Sequence, residues 1–162
     1  MKKFFLLTTF ILTSLGVSRA QNEAEIIKFD RLDALIKERK NQVTVINFWA
    51  TWCGPCIKEL PYFEAARKTY GDKLSVNLIS LDFADQLPKV HKFMERKGIE
   101  SNVYLLDEID YNSWIDRVDK SWSGAIPATL IVDGRTDKRK FVESELTEAE
   151  LNRLIEEFIQ NP

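Results

Sequence analysis

The chain reads as an α/β protein built on a central mixed sheet flanked by helices. Strand-like runs that are β-branched or continuously apolar alternate with helical stretches, the pattern of parallel strands joined by helices and covered on both faces. A hairpin signal and an amphipathic helix then close the chain, which adds an antiparallel part to the sheet.

The elements follow in order. Asp30 is expected to cap a short helix whose apolar positions are Leu32, Leu35 and Ile36. Val43 to Trp49 is β-branched and aromatic and reads as a buried strand. Pro55 to Tyr70 reads as a helix, with Pro55 in the first turn, where a missing N–H does no harm. Leu74 to Leu81 is a second buried strand. Leu87 to Lys97 reads as a helix ended by Gly98, and Val103 to Leu106 as a short strand. Trp114, Ile115, Val118 and Trp122 are spaced as one helical face. Ala128 to Val132 runs into Asp133-Gly134, a hairpin signal, and Lys140 to Ser144 returns. Thr147 and Glu150 frame a capping box, and Leu151, Leu154, Ile155, Phe158 and Ile159 share a face of the last helix.

The two cysteines of the chain, Cys53 and Cys56, stand where a strand runs into a helix, with Gly54 and Pro55 between them. Cys53 falls at the helix N-terminus, where unpaired N–H groups and the helix dipole favour a thiolate and mark it as the nucleophile. A zinc site needs four ligands, and His91 is the one histidine available, which argues against a metal. A structural staple across so short a loop removes little chain entropy. Reversible dithiol chemistry remains, with no cofactor beyond the Cys53–Cys56 pair itself. Ile126-Pro127 precedes a buried strand, where a proline calls for an edge, a bulge or a cis bond. Glu59 lies one helical turn after Cys56, and its spacing alone fits a solvated first-turn carboxylate equally well. Trp49 and Trp52 flank the pair, Trp52 being the better candidate for the surface. His91 reads as a solvated side chain, and the basic run from Arg135 to Lys140 as charge at a hairpin tip in solvent.

The run Asn47 to Pro61, containing Trp52-Cys53-Gly54-Pro55-Cys56, resembles the active-site segment of the thioredoxin superfamily, most closely its TlpA/ResA-type branch of exported thiol-disulfide oxidoreductases. The resemblance implies a thioredoxin-like fold. Pro127 follows Cys56 by 71 positions, longer than in thioredoxin itself, and the resemblance locates the extra length between Asp82 and Asp107 as a helix and strand inserted between the second strand and the following helix. It further implies that Pro127 is a cis-proline facing the cysteines. Trp52, Gly54, Pro55, Ile126 and Pro127 would then contact substrate, with the Ile126 backbone receiving it as a short added strand. Asn47 stands where thioredoxin has a titrating aspartate, and the resemblance moves the proton relay to Glu59. The Gly-Pro spacer matches the reducing thioredoxin more than an oxidant such as DsbA, so a reductase of protein disulfides is expected. A disulfide-forming oxidase, a peroxidase and a thiol chaperone or metallochaperone holding apocytochrome or copper are the alternatives.

Residues 1–20 read as a secretory signal peptide: Lys2-Lys3, an apolar run from Phe4 to Leu15, and small residues around Ser18-Arg19-Ala20. Cleavage after Ala20 would leave 21–162 as a single thioredoxin-like domain. The apolar run is short of the roughly 20 residues a spanning helix needs, so no stable membrane insertion is expected. Loss of Lys2, Lys3 and Arg19 reduces the 23 basic residues to 20 against 25 acidic, a balance that argues against a nucleic-acid partner. The expected setting is the periplasm or another extracytoplasmic space, with a monomer acting on protein disulfides and recharged by a membrane-linked thiol donor.

Overall fold

The computed structural model describes residues 23–38, 40–136 and 138–160, so the expected signal peptide lies outside the described residues. Its strands are β1 (Glu25–Ile27), β2 (Val43–Trp49), β3 (Leu74–Ser80), β4 (Asn102–Leu106), β5 (Ala128–Asp133) and β6 (Arg139–Val142). The helices are α1 (Phe29–Ile36), α2 (Gly54–Tyr70), α3 (Leu87–Lys97), the single turn α4 (Ile115–Val118) and α5 (Glu148–Gln160). The sheet runs β1-β4-β3-β2-β5-β6. β1, β4, β3 and β2 are mutually parallel neighbours, while β5 and β6 are antiparallel.

The helix and strand expected between Asp82 and Asp107 are α3 and β4, and β4 enters the sheet between β3 and β1. Every residue of β2 is buried, so the pleat sends alternate side chains into two separate cores. Val43, Val45 and Trp49 join the core roofed by α2, α3 and α5. Ile46 and Phe48 join the opposite core, with α1 and the Trp114–Trp122 region. Asn47 shares the pleat face of Val45 and Trp49, and this face meets α2.

Local signals mark most element ends. Gly98 closes α3 at φ 64°, a left-handed conformation suited to glycine. Thr147 N–H donates to Glu150 Oε2 at 2.9 Å and Glu150 N–H to Thr147 Oγ1 at 3.3 Å, forming the expected capping box. At the hairpin, a Cβ on Gly134 would lie 2.3 Å from the backbone oxygen of Lys40, so the close approach of these two segments requires glycine.

Four expectations change, and one strand, β1, is unforeseen. Asp30 does not cap α1: Lys28 occupies that position, Asp30 lies in the first turn, and Glu108 Oε1 accepts the Phe29 N–H at 2.9 Å. Trp114 to Trp122 is not one helix. α4 ends at Val118, and Asp119 Oδ1 accepts the Ser121 N–H at 2.9 Å, a local bond that competes with helix continuation. The tryptophans still share a core, Phe48 and Trp122 with ring centroids 4.5 Å apart. β1 carries no sequence signal, because a three-residue strand is too short to show a period. His91 is half-buried, with Nε2 3.1 Å from the backbone nitrogen of Ala24 and 3.2 Å from its oxygen, so it ties α3 to the segment before β1. Arg135 is an anchor, not a free hairpin charge: it pairs with the buried Asp133 and donates to Phe158 O at 2.8 Å on α5.

Candidate active site

β2 and β3 end side by side, and the chain leaving β2 forms the loop that carries the cysteine pair. Gly54 and Pro55 open α2 and Cys53 is its N-cap. The two cysteines form a disulfide with their Cα atoms 5.3 Å apart. Cys53 is 6% exposed and Cys56 fully buried, so an incoming sulfur reaches Cys53 first. The Cys56 N–H donates to Cys53 Sγ at 3.3 Å. This first-turn N–H, donated to the sulfur, favours negative charge there when the disulfide is open.

Ile126 and Pro127 come from the loop before β5, joined by a cis peptide bond, one of the three arrangements expected for a proline there. The Ile126 carbonyl oxygen lies 3.8 Å from Cys53 Sγ, across 73 positions of sequence. Trp52 projects into solvent at 64% exposure, whereas Trp49 is wholly buried against Phe93 with ring centroids 5.2 Å apart. The sequence favours Trp52 over Trp49 for the surface, and the structure separates the two in that direction.

Glu59 is not solvated. It lies fully buried on α2, on the face turned to β2. Asn47 Nδ2 donates to Glu59 Oε1 at 2.8 Å, and the Leu146 N–H, from the loop before α5, donates to Oε2 at 2.8 Å. Burial, opposed by these two hydrogen bonds, lifts the carboxyl from its ordinary 4.5 to about 7. Asn47 also donates to Thr129 Oγ1 at 3.1 Å on β5, while its own Oδ1 has no hydrogen-bond partner among the described residues. Asn47, Leu146 and Thr129 therefore belong to the site. Sequence reading weighed Asn47 only as a position that cannot titrate, and Leu146, 87 positions from Glu59, carries no local signal at all.

A second buried carboxylate shapes the loop. Asp82, just after β3, accepts the Thr51 N–H at 2.8 Å, the Thr51 hydroxyl at 2.6 Å and the Ser80 hydroxyl at 2.8 Å. It fixes the loop before Cys53 to the loop after β3. Among the described residues no group of His, Cys, Asp and Glu is arranged to hold a metal ion, and no helix is long and apolar enough to cross a membrane.

Similarity to known proteins agrees with this arrangement. The thiol-disulfide oxidoreductase ResA of Geobacillus kaustophilus is 25% identical over 125 residues, covering 75% of this chain and 66% of that protein. The chain spans between about two fifths and two thirds of the length of the curated relatives it matches. The fold matches a thioredoxin-related protein from Neisseria meningitidis serogroup B at TM-score 0.65 and 22% identity, covering 75% of this chain and 88% of that one. It matches a thioredoxin-family thiol:disulfide interchange protein from Chlorobium tepidum at TM-score 0.63 and 24% identity, covering 74% and 81%. With the Redoxin family model matching residues 33–152, on a thioredoxin-like fold with a disulfide at the head of α2, this chain belongs to the Redoxin family as a TlpA/ResA-like member of the thioredoxin superfamily.

Proposed function

We propose that this protein is an exported thiol-disulfide oxidoreductase that reduces disulfides in other proteins. The observation that carries the reading is the position of the Cys53–Cys56 disulfide, with its more exposed sulfur against the Ile126 carbonyl and the buried carboxyl of Glu59 on the same helix.

In the reduced protein, Cys53 attacks one sulfur of a client disulfide as a thiolate. That S–S bond breaks, a mixed disulfide forms, and the first client sulfur leaves as a thiolate that takes a proton from water. Cys56 then gives its proton to the Glu59 carboxylate and attacks Cys53 Sγ. The Cys53–Cys56 bond forms, the second client sulfur leaves, and two electrons have passed to the client. A carboxyl that titrates at about 7 can accept this proton and return it near neutral pH. In this reading Trp52, Gly54, Pro55, Ile126 and Pro127 are the client contacts, with Ile126, whose carbonyl oxygen lies 3.8 Å from Cys53 Sγ, offering its backbone to an extended segment. No cofactor beyond the dithiol takes part.

Export is supported by the signal-like residues 1–20 and by the likeness to ResA. An exported reductase lies beyond soluble cytoplasmic reductants, so a membrane-linked thiol donor would recharge it, and it would act as a monomer. The deciding experiment is the equilibrium potential of the Cys53/Cys56 couple against dithiothreitol or glutathione. A value on the reducing side of about −200 mV supports a reductase, and one near −120 mV, the range of DsbA, makes it an oxidase.

A further inference from the structure

Beside the cysteine loop lies a cavity of about 460 Å³, lined by residues that include Thr51, Asp85, Lys89, Lys92, Phe93 and Arg96. Three of these are cations on one face of α3, spaced over two turns, with a single carboxylate among them. None of the three is in an ion pair among the described residues, and Arg96 lies over the Phe93 ring at 5.4 Å from its centroid. This positive patch sits on a chain whose acidic residues outnumber its basic ones, 25 to 23.

Two exposed aromatic residues flank the cavity lining in the chain: Trp52 follows the lining residue Thr51, and Phe83 stands two positions before the lining residue Asp85. Trp49 and Ser80 are register partners at the ends of parallel β2 and β3. Trp52 and Phe83 each stand three positions further on, in the loops that leave these neighbouring strands at the same end of the sheet. The Asp82 bonds to Thr51 lock the two loops together. Trp52 is 64% exposed and Phe83 is 67% exposed, and large apolar side chains left in water near a reactive centre suit contact with a partner.

We infer that this cavity, with Trp52 and Phe83 at its approach, docks an acidic segment of the client polypeptide next to its reacting cysteine. The inference rests on the oxidoreductase reading and adds to it the class of client: disulfides flanked by Asp or Glu. Lys89 to Arg96 span roughly 10 Å along α3, the length of about three extended residues, so a short acidic run is enough to fill the patch. The aromatic pair covers apolar side chains between that run and the cysteine.

The test uses two disulfide-linked peptides that differ only in carrying Asp or Lys beside the cysteine, together with uncharged 2-hydroxyethyl disulfide and a cysteine-free acidic peptide. The reduced protein should react with the acidic peptide on the order of 10-fold faster than with the basic one at low salt, a preference that shrinks at about 0.5 M salt. Lys89→Glu combined with Lys92→Glu should reverse the preference and leave the rate with 2-hydroxyethyl disulfide unchanged. The cysteine-free acidic peptide should bind to the starting protein, seen as a change in tryptophan fluorescence, and not to the double variant. Equal rates with the two peptides, or no binding of the cysteine-free peptide, overturns the docking site. Failure of every disulfide to react while that peptide still binds overturns the oxidoreductase reading instead.

Discussion

Asn47 Nδ2 and Glu59 Oε1 are hydrogen-bonded at 2.8 Å inside the protein, joining the strand that leads into the cysteine loop to the helix that begins with it. The bond ties a buried carboxyl to the sheet one turn below Cys56. It also sets where that carboxyl titrates, because burial raises its pKa and the Asn47 and Leu146 donors hold the rise in check.

Glu59→Gln should therefore keep the fold and the initial attack by Cys53 yet slow resolution by Cys56, by about 100-fold if Glu59 is the proton acceptor. The mixed disulfide would accumulate in rapid-quench experiments. The rise of the resolution rate with pH, centred near 7 in the unmodified protein, should flatten. Unchanged resolution across that range would remove Glu59 from the chemistry.

The same carboxyl makes stability depend on pH. Its folded pKa stands above the ordinary 4.5, so its neutral form is compatible with burial and its charged form is not. Its contribution is fully present below pH 4.5 and is lost as pH rises through about 7, a loss of roughly 3 kcal/mol across that window. Urea unfolding of the oxidised protein at several pH values, set against Glu59→Gln, should show this slope in the first and its absence in the second.

Asn47→Ala removes one of the donors that restrain the carboxyl, so the midpoint of the resolution profile should move above 7. It also leaves a buried oxygen without its partner, at a cost of about 1–3 kcal/mol once Glu59 is ionised. A stopped-flow pH profile tests the first effect and denaturant unfolding above pH 8 the second. An unmoved midpoint would mean that Asn47 only fills space.

Exposure separates the roles of the sulfurs, since Cys53 is accessible and Cys56 is not. Cys56→Ser should trap mixed disulfides with reducible clients, and Cys53→Ser should trap none. Non-reducing gel electrophoresis reads the result, and equal trapping by both variants would reverse the assignment.

Arg135→Ala should weaken the fold through Asp133. The Arg135 guanidinium, with Nε 2.8 Å from Asp133 Oδ1, holds the buried carboxyl below its ordinary 3.8. Stability from this pair is present above pH 3.8 and is lost as pH falls through the lowered folded value. The variant should lose more stability at pH 7 than at pH 3, measured as the shift in its urea midpoint.

The amino-acid sequence by itself determined the strands and helices whose pattern is local. β2, α2, α3 with its Gly98 end, the capping box of α5 and the cysteine pair at a helix start all follow from periodicity and from the stereochemistry of a few residue types. The inserted helix and strand were legible in the same way, and with them the end of the sheet where the disulfide lies. Tertiary structure alone decided what surrounds that disulfide. Glu59 is solvated or buried according to how α2 meets β2, and only packing brings Leu146 to it across 87 positions or sets Ile126 against Cys53 across 73. For Trp49 and Trp52 the sequence favours Trp52 for the surface, while the packing of β2 turns Trp49 wholly into the core. The physical division is one of range: backbone geometry writes its preferences into neighbouring residues, whereas desolvation of a charge depends on distant parts of the chain that share no pattern with it.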